Sequence, residues 1–200
     1  KSVDRIVVRK EIKVDVAFEV QATEDPALAS GTKFVQSEGA LGQARVLSDV
    51  LYVNGEPVRT TEVSRKIVKT PVAEVAIVGT GDAKQISVQL ATAAKATGTK
   101  ETNQQYAKLF IAQEYGWNDK QFTCLVSLWN RESNWRAAAR NRHSGATGIP
   151  QALPGRKMAA FGSDWKTNPV TQIKWGASYI AMRYDTPCGA LSHSHARGWY

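Results

Sequence analysis

Hydrophobic periodicity changes once along this 200-residue chain, from a spacing of two to a helical spacing, and that change constrains the fold more than any other feature. Ile12, Val14, Val16, Phe18 and Val20 alternate with Glu11, Lys13, Asp15 and Glu19, the pattern of a half-buried strand. Arg45 to Val53 is β-rich and stops at Asn54-Gly55, a hairpin-turn pair. Val72 to Val78 reads as a further strand, closed by Gly79-Thr80-Gly81, and Pro26, Gly31, Gly39 and Gly42 punctuate turns. Further on the period lengthens. Tyr106, Leu109, Phe110 and Gln113 share one side of a helix capped by Thr102 or Asn103 and ended by Gly116. Phe122, Leu125, Val126 and Trp129 recur at i, i+3, i+4 and i+7 of a second helix, starting at Asn118 or Asp119. A third runs from Pro169 through Tyr184 with Ile173, Gly176, Ala177 and Ile180 inward, and Pro187 and Gly189 are expected to break it. Between the two regimes, the small polar stretch Ala91 to Thr99 reads as linker, preceded by a short strand at Ile86–Leu90. The expected fold class is therefore α+β multidomain: an all-β, elongated unit over 1–84, a linker over 85–100, and a mainly helical domain over 101–200.

Charge divides at the same place. Residues 1–84 hold 12 Lys or Arg against 12 Asp or Glu, while residues 85–200 hold 14 against 6, so the whole net charge of +8 lies in the second part. Such an excess points to an anionic partner. The cations are scattered, with no basic helix, zinc finger or RNA-binding signature, which argues against nucleic acid and leaves an anionic polysaccharide or wall polymer. No apolar run approaches the roughly 18 residues of a membrane span. The chain opens on Lys1-Ser2-Val3-Asp4 without an initiating Met and reads as a piece of a longer precursor. Cys124 and Cys188 form no metal-binding pattern; they are two buried thiols or, in an exported protein, a disulfide. His193-Ser194-His195 reads as a polar loop rather than a metal site, and no nucleotide-binding glycine loop is present, so neither metal nor cofactor is expected.

One carboxylate stands apart. At 100° per residue, Glu132 lies about 20° round the second helix from Leu125 and about 40° from Leu128, on its apolar side. Burial and the helix C-terminus both disfavour the ion there, which would keep a proton available near neutrality. Glycosidic cleavage needs such a proton for the departing oxygen. The competing reading is a surface Glu paired with Arg131 or Arg136.

Two resemblances extend these readings. The string Asp25-Pro26-Ala27-Leu28-Ala29-Ser30-Gly31, then Glu38 to Gly42, Asn54-Gly55 and Pro71 to Thr80, resembles a G5 domain. That family implies adhesion or wall binding, with no catalytic residue and glycines that serve structure alone. Glu132-Ser133-Asn134-Trp135 followed by Ser144-Gly145-Ala146-Thr147-Gly148-Ile149-Pro150-Gln151 resembles the goose-type lysozyme and lytic transglycosylase superfamily, in its secreted actinobacterial branch. Trp175-Gly176, Tyr179-Ile180, Arg183-Tyr184 and Gly198-Trp199-Tyr200 extend the match over about 101–200. The resemblance implies Glu132 as general acid, Ser133 supporting its helix end, and Gly145, Ala146 and Gly148 in the turn that walls a glycan groove. It also implies Gln151 in the groove and Tyr179 or Tyr184 facing the acid. The family's Gly-Leu-Met-Gln is here Gly148-Ile149-Pro150-Gln151, and the interval from Glu132 to Gly145 is one residue longer. Of the other acids beyond residue 84, Asp164 and Asp185 are the candidates to reach the cleft. The implied protein is an exported, monomeric peptidoglycan-cleaving enzyme, with an inactive wall-binding protein as the alternative. Its partners would be glycan strands and anionic wall polymers. The architecture resembles that of resuscitation-promoting factors.

Overall fold

The computed structural model describes residues 4–200; Lys1-Ser2-Val3, read as the start of a fragment, lie outside the described residues. The chain divides into two compact units, one of residues up to Glu24 with Lys33–Val78, the other of Asp25–Thr32 with Gly79–Tyr200.

The first unit is built on an antiparallel sheet in the order β1 (Arg5–Val16), β4 (Gly42–Val53), β5 (Glu56–Lys69). Asn54 and Gly55 close the β4–β5 hairpin at φ of 50° and 87°, as a two-residue turn with both central residues left-handed requires. A second sheet has the order β2 (Val20–Ala29), β6 (Glu74–Gly81), β3 (Lys33–Ser37), and its strands β2 and β6 run on into the second unit. The half-buried strand expected at residues 12–20 is corrected in two ways. The strand ends at Val16, and Ile12 is 52% exposed. In the sheet of β1, β4 and β5 only the central strand hides side chains, at Ala44, Val46, Ser48 and Val50. Strand β1 therefore looks half-buried by pattern yet mostly faces water. Backbone ladders and cross-strand pairs hold it instead, notably the two bonds from the Arg9 guanidinium to Asp49 directly opposite (2.7 and 2.9 Å).

The second unit is helical. Residues 85–100, expected as a linker with a short strand, are instead mostly helix: α1 spans Ala83–Ala96. Asp82 caps it by accepting from the Gln85 N–H, alanine is the best helix former, and the stripe ending at Ala93 packs against α2 (Lys100–Tyr115). The cap of α2 is Thr99, reciprocally bonded with Thr102, rather than Thr102 or Asn103; its end at Gly116 is as expected. Helix α3 (Asp119–Glu132) starts from Asn118, and α4 runs over Pro169–Tyr184 as anticipated. Pro187 does not break the chain into loop; it occupies the first turn of α5 (Pro187–Arg197), where its missing N–H costs nothing. His193 and His195 consequently lie on a helix, about 200° apart around it, not on a loop.

The core of this unit surrounds Trp129, fully buried with Tyr106, Ile111, Leu125, Leu128, Ile173 and Ile180. Gly176 admits the Trp129 ring, since a Cβ there would sit 2.7 Å from it. Among the described residues no helix is long and apolar enough to cross a membrane.

Candidate functional site

Helix α3 delivers Glu132 as its last residue, and the chain around it is tightly stitched. The capping Ser133 donates its N–H to Trp129 O (3.1 Å) and its buried Oγ–H to Ile149 O (2.8 Å), which ties the helix end to the turn at 145–149. Asn134 and Trp135 follow at φ of 51° and 63°, a region that a tryptophan rarely adopts. Asn103 holds them there by donating to Trp135 O (3.1 Å), while Lys100 reaches Asn134 Oδ1 (2.6 Å). Backbone strain of this kind persists only where surroundings over-determine it, and it clusters at functional sites.

The Glu132 side chain is half buried. Burial raises its pKa above the usual value near 4.5, against the opposing pull of Arg131. Tyr200 is pushed well above its usual range by its own burial and then by the Glu132 charge. Its hydroxyl donates to Pro150 O (2.9 Å) and accepts from Trp129 Nε1 (2.8 Å). The Glu132 charge therefore reaches Tyr200. Tyr179 and Tyr184 flank it, each ring centred 6.1 Å from that of Tyr200.

The glycine turn is built as one wall. Asn141 Oδ1 accepts from the N–H groups of His143 and Ser144, the Ala146 carbonyl accepts from Asn141 N (2.9 Å), and Thr147 bridges Arg140 and Ala152. Gly145 and Gly148 take φ of 82° and 79°. Gln151 Nε2 donates back to Gly148 O (2.9 Å), so part of its amide is spent closing the turn. Sequence reasoning missed Gln172, a fully buried amide on the face of α4 read as apolar. It accepts from Ile149 N (2.9 Å) and donates to Ala137 O (3.1 Å) and Trp165 O (2.9 Å). A Cβ on Gly148 would lie 2.6 Å from Gln172 Oε1. Gly148→Ala should therefore destabilise the protein by about 2 kcal/mol, from left-handed strain and a displaced buried amide. Urea unfolding checks this, and a loss no larger than a few tenths would mean that the turn repacks freely.

Aromatic rings line two adjoining pockets. Gln151, Leu153, Lys157, Trp175, Tyr179 and Tyr200 bound a pocket of about 90 Å³. Tyr179 also lines an adjoining groove of about 640 Å³ with Met182, Arg183, Tyr184, His193 and Trp199. Trp175 and Tyr179, one turn apart on α4, stack at 5.3 Å and remain half exposed, offering flat apolar faces. The candidate second acids have other stations. Asp164 accepts from Asn168 and Thr171 (both 2.7 Å), which lowers its pKa, and the exposed Asp185 caps the end of α4. Cys124 and Cys188 form a disulfide joining α3 to the first turn of α5.

Comparison with known proteins bears on the N-terminal part. The G5 domain family matches residues 7–81. Residues 7–81 are a G5 domain. A solved G5 domain of an IgA1 protease is 27% identical, over 41% of this chain and 96% of that one, with a TM-score of 0.22. The crystal structure of HP0197-G5 is 14% identical, over 38% and 99%, with a TM-score of 0.29. No curated protein matches the chain. Within the G5 domain Gly42 and Gly79 serve close approach. A Cβ on Gly42 would lie 2.6 Å from the Lys69 carbonyl, and one on Gly79 would run into the Ala29 carbonyl.

Proposed function

We propose that the helical domain is lysozyme-like and cuts the β-1,4 glycan strands of peptidoglycan, with Glu132 as general acid, and that the G5 domain holds the enzyme against the wall. The observation that supports this reading most is the half-buried Glu132 carboxyl, its pKa raised by desolvation, whose charge acts on Tyr200, a residue that lines an aromatic pocket with Trp175 and Tyr179. Protonated, Glu132 gives its proton to the departing sugar oxygen. The acetamido group of the substrate then assists at the anomeric carbon, and Glu132 as base takes a proton from the 6-hydroxyl or from water. Asp164 is bound to Asn168 and Thr171 and Asp185 is exposed at the end of α4, and the substrate's acetamido group takes the part of a second carboxylate on that route. The disulfide suits an exported protein, since such bonds persist in oxidising compartments.

Mass spectrometry of purified peptidoglycan digested with the protein tests the proposal. Released fragments ending in 1,6-anhydro or reducing sugars support it; intact strands with retained binding would leave a wall-binding protein instead.

Charge supplies a further expectation. The G5 domain pairs its ions internally (Arg9–Asp49, Arg45–Glu11, Arg65–Glu62), whereas beyond residue 84 the one ion pair among the described residues is Lys108–Asp119. Binding of the full chain to wall should weaken as salt rises and should weaken further once anionic wall polymers are stripped. Sedimentation with native and stripped wall across a salt series reads both effects. Salt-independent binding would mean that these cations form a solvated face.

A further inference from the structure

Strand β1 is an open edge of the three-stranded sheet in the first unit. Among the described residues it pairs with β4 alone, in a register that runs from Arg5 to Val16 without a shift. The Asn54 N–H bonds to Asp4 O, which turns the backbone of the even-numbered residues of β1 toward β4. The N–H and C=O groups of Arg5, Val7, Arg9, Glu11, Lys13 and Asp15 therefore line the free side. The opposite edge is blunted. Strand β5 carries Pro57, and its register with β4 shifts at three places. Proline and bulges hinder the addition of another strand, and β1 has neither. A long, regular, exposed edge of this kind is a template for a further strand.

Charge selects the partner. On one face of β1, Arg9, Glu11, Lys13 and Asp15 alternate in sign, and their order is antisymmetric about Ile12: each cation lies as far from Ile12 as an anion on its other side. A second copy of β1, antiparallel and centred on Ile12, sets Arg9 opposite Asp15 and Glu11 opposite Lys13, each twice by symmetry. On the other face Val8 meets Val16, and Ile12, 52% exposed in the single chain, meets its own copy. Neither Lys13 nor Asp15 has an ion-pair partner among the described residues. Lys13 stands directly opposite Arg45, a destabilising pair of like charges that Glu11 of a second copy offsets. Lys10, the cation on the apolar face, is drawn back over the sheet, where its Nζ donates to Tyr52 Oη (2.7 Å). We propose that a second copy of this chain adds to β1, two-fold symmetric about Ile12, and joins the two three-stranded sheets into one continuous sheet. This dimer departs from the monomer that the sequence resemblance implies, and it does not depend on the proposed glycan cleavage.

Sedimentation equilibrium of the full chain over a concentration series tests the pairing, with EDTA present so that no metal bridges the copies. The unsubstituted chain should show a reversible monomer–dimer equilibrium. Lys13→Glu opposes two carboxylates and Glu11→Lys opposes two cations, and each should weaken the dimer roughly thirtyfold. Mixed in equal amounts, the two variants should associate with each other, because every cation then faces an anion again. The register is read separately with Ile12→Cys, which should form a covalent dimer under oxidised glutathione. Position 12 meets its own copy in a non-hydrogen-bonded pair, with Cα atoms within disulfide reach. Lys10→Cys should not crosslink, since its two copies lie too far apart along the strands. A chain that stays monomeric throughout the series, single variants that associate like the parent, or mixed variants that stay apart overturns the proposal. So does crosslinking of Lys10→Cys in preference to Ile12→Cys.

Discussion

Glu132→Gln should abolish release of glycan fragments from wall, lowering the rate by about 10²- to 10⁴-fold, the range for loss of a positioned general acid. Glutamine preserves the shape at the end of α3, and the bonds that hold this end, from Ser133 to Trp129 O and Ile149 O, do not involve the carboxyl. Folding and wall binding should therefore survive. The pH behaviour separates this from a packing effect. Because burial raises the folded-state pKa of Glu132 above about 4.5, activity of the unsubstituted protein should fall as pH rises through that raised value. Stability follows the same group with a defined sign. The buried carboxyl binds its proton more tightly folded than unfolded, so ionisation costs stability. That cost is absent below the unfolded value near 4.5, grows as pH climbs to the raised folded value, and is constant above it. The glutamine variant should then match the parent's stability at low pH and exceed it near neutrality. Fragment release at the parental rate would remove Glu132 from the mechanism. A variant less stable near neutrality would contradict the desolvation argument.

The second large effect concerns Cys124–Cys188. The bridge joins residues 64 apart in sequence, and opening a loop of that size should cost about 4 kcal/mol by loop-closure entropy. The double variant Cys124→Ala/Cys188→Ala, unfolded in urea beside the parent, reads this directly. A loss below about 1 kcal/mol would show that packing between α3 and α5 already restrains the unfolding unit. Fragment release should decline in the double variant even where the fold persists. One end of the bridge lies on the helix that presents Glu132; the other begins the helix that carries His193 and leads to Tyr200. The Cys188 N–H bond to Gln121 Oε1 (3.0 Å) still joins the two helices, so a partial rather than complete loss is expected.

Several elements were legible in the sequence because their causes are local. Asn54-Gly55 closes a hairpin because both residues accept left-handed backbone, and Gly116 ends α2 for the same reason. Pro169 begins α4 after a capping Asn168, and the placement of Glu132 at an apolar helix end follows from the helical repeat alone. The G5 domain was legible through its ordered glycines and turns, each needed for a close approach or a tight bend.

What escaped depended on distant partners. The second half of helix α1, from Ala91, lacks large apolar residues and looks like a linker until α2 supplies the surface for Ala93 and Ala94. Strand β5 is exposed along its whole length, so no side-chain pattern announces it; its pairing with β4 is a property of the backbone ladder. Gln172 sits on a face predicted to be apolar, and only the carbonyls of Ala137 and Trp165 and the N–H of Ile149 make its burial tolerable. Tyr200 comes within reach of the Glu132 charge because the chain returns after α5 to bond its hydroxyl to Trp129 Nε1 and Pro150 O. Local sequence sets which backbone a segment prefers and which side it hides. Which groups meet across 20 or 70 residues is decided by packing, because only in the assembled core does each buried polar atom find, or fail to find, its partner.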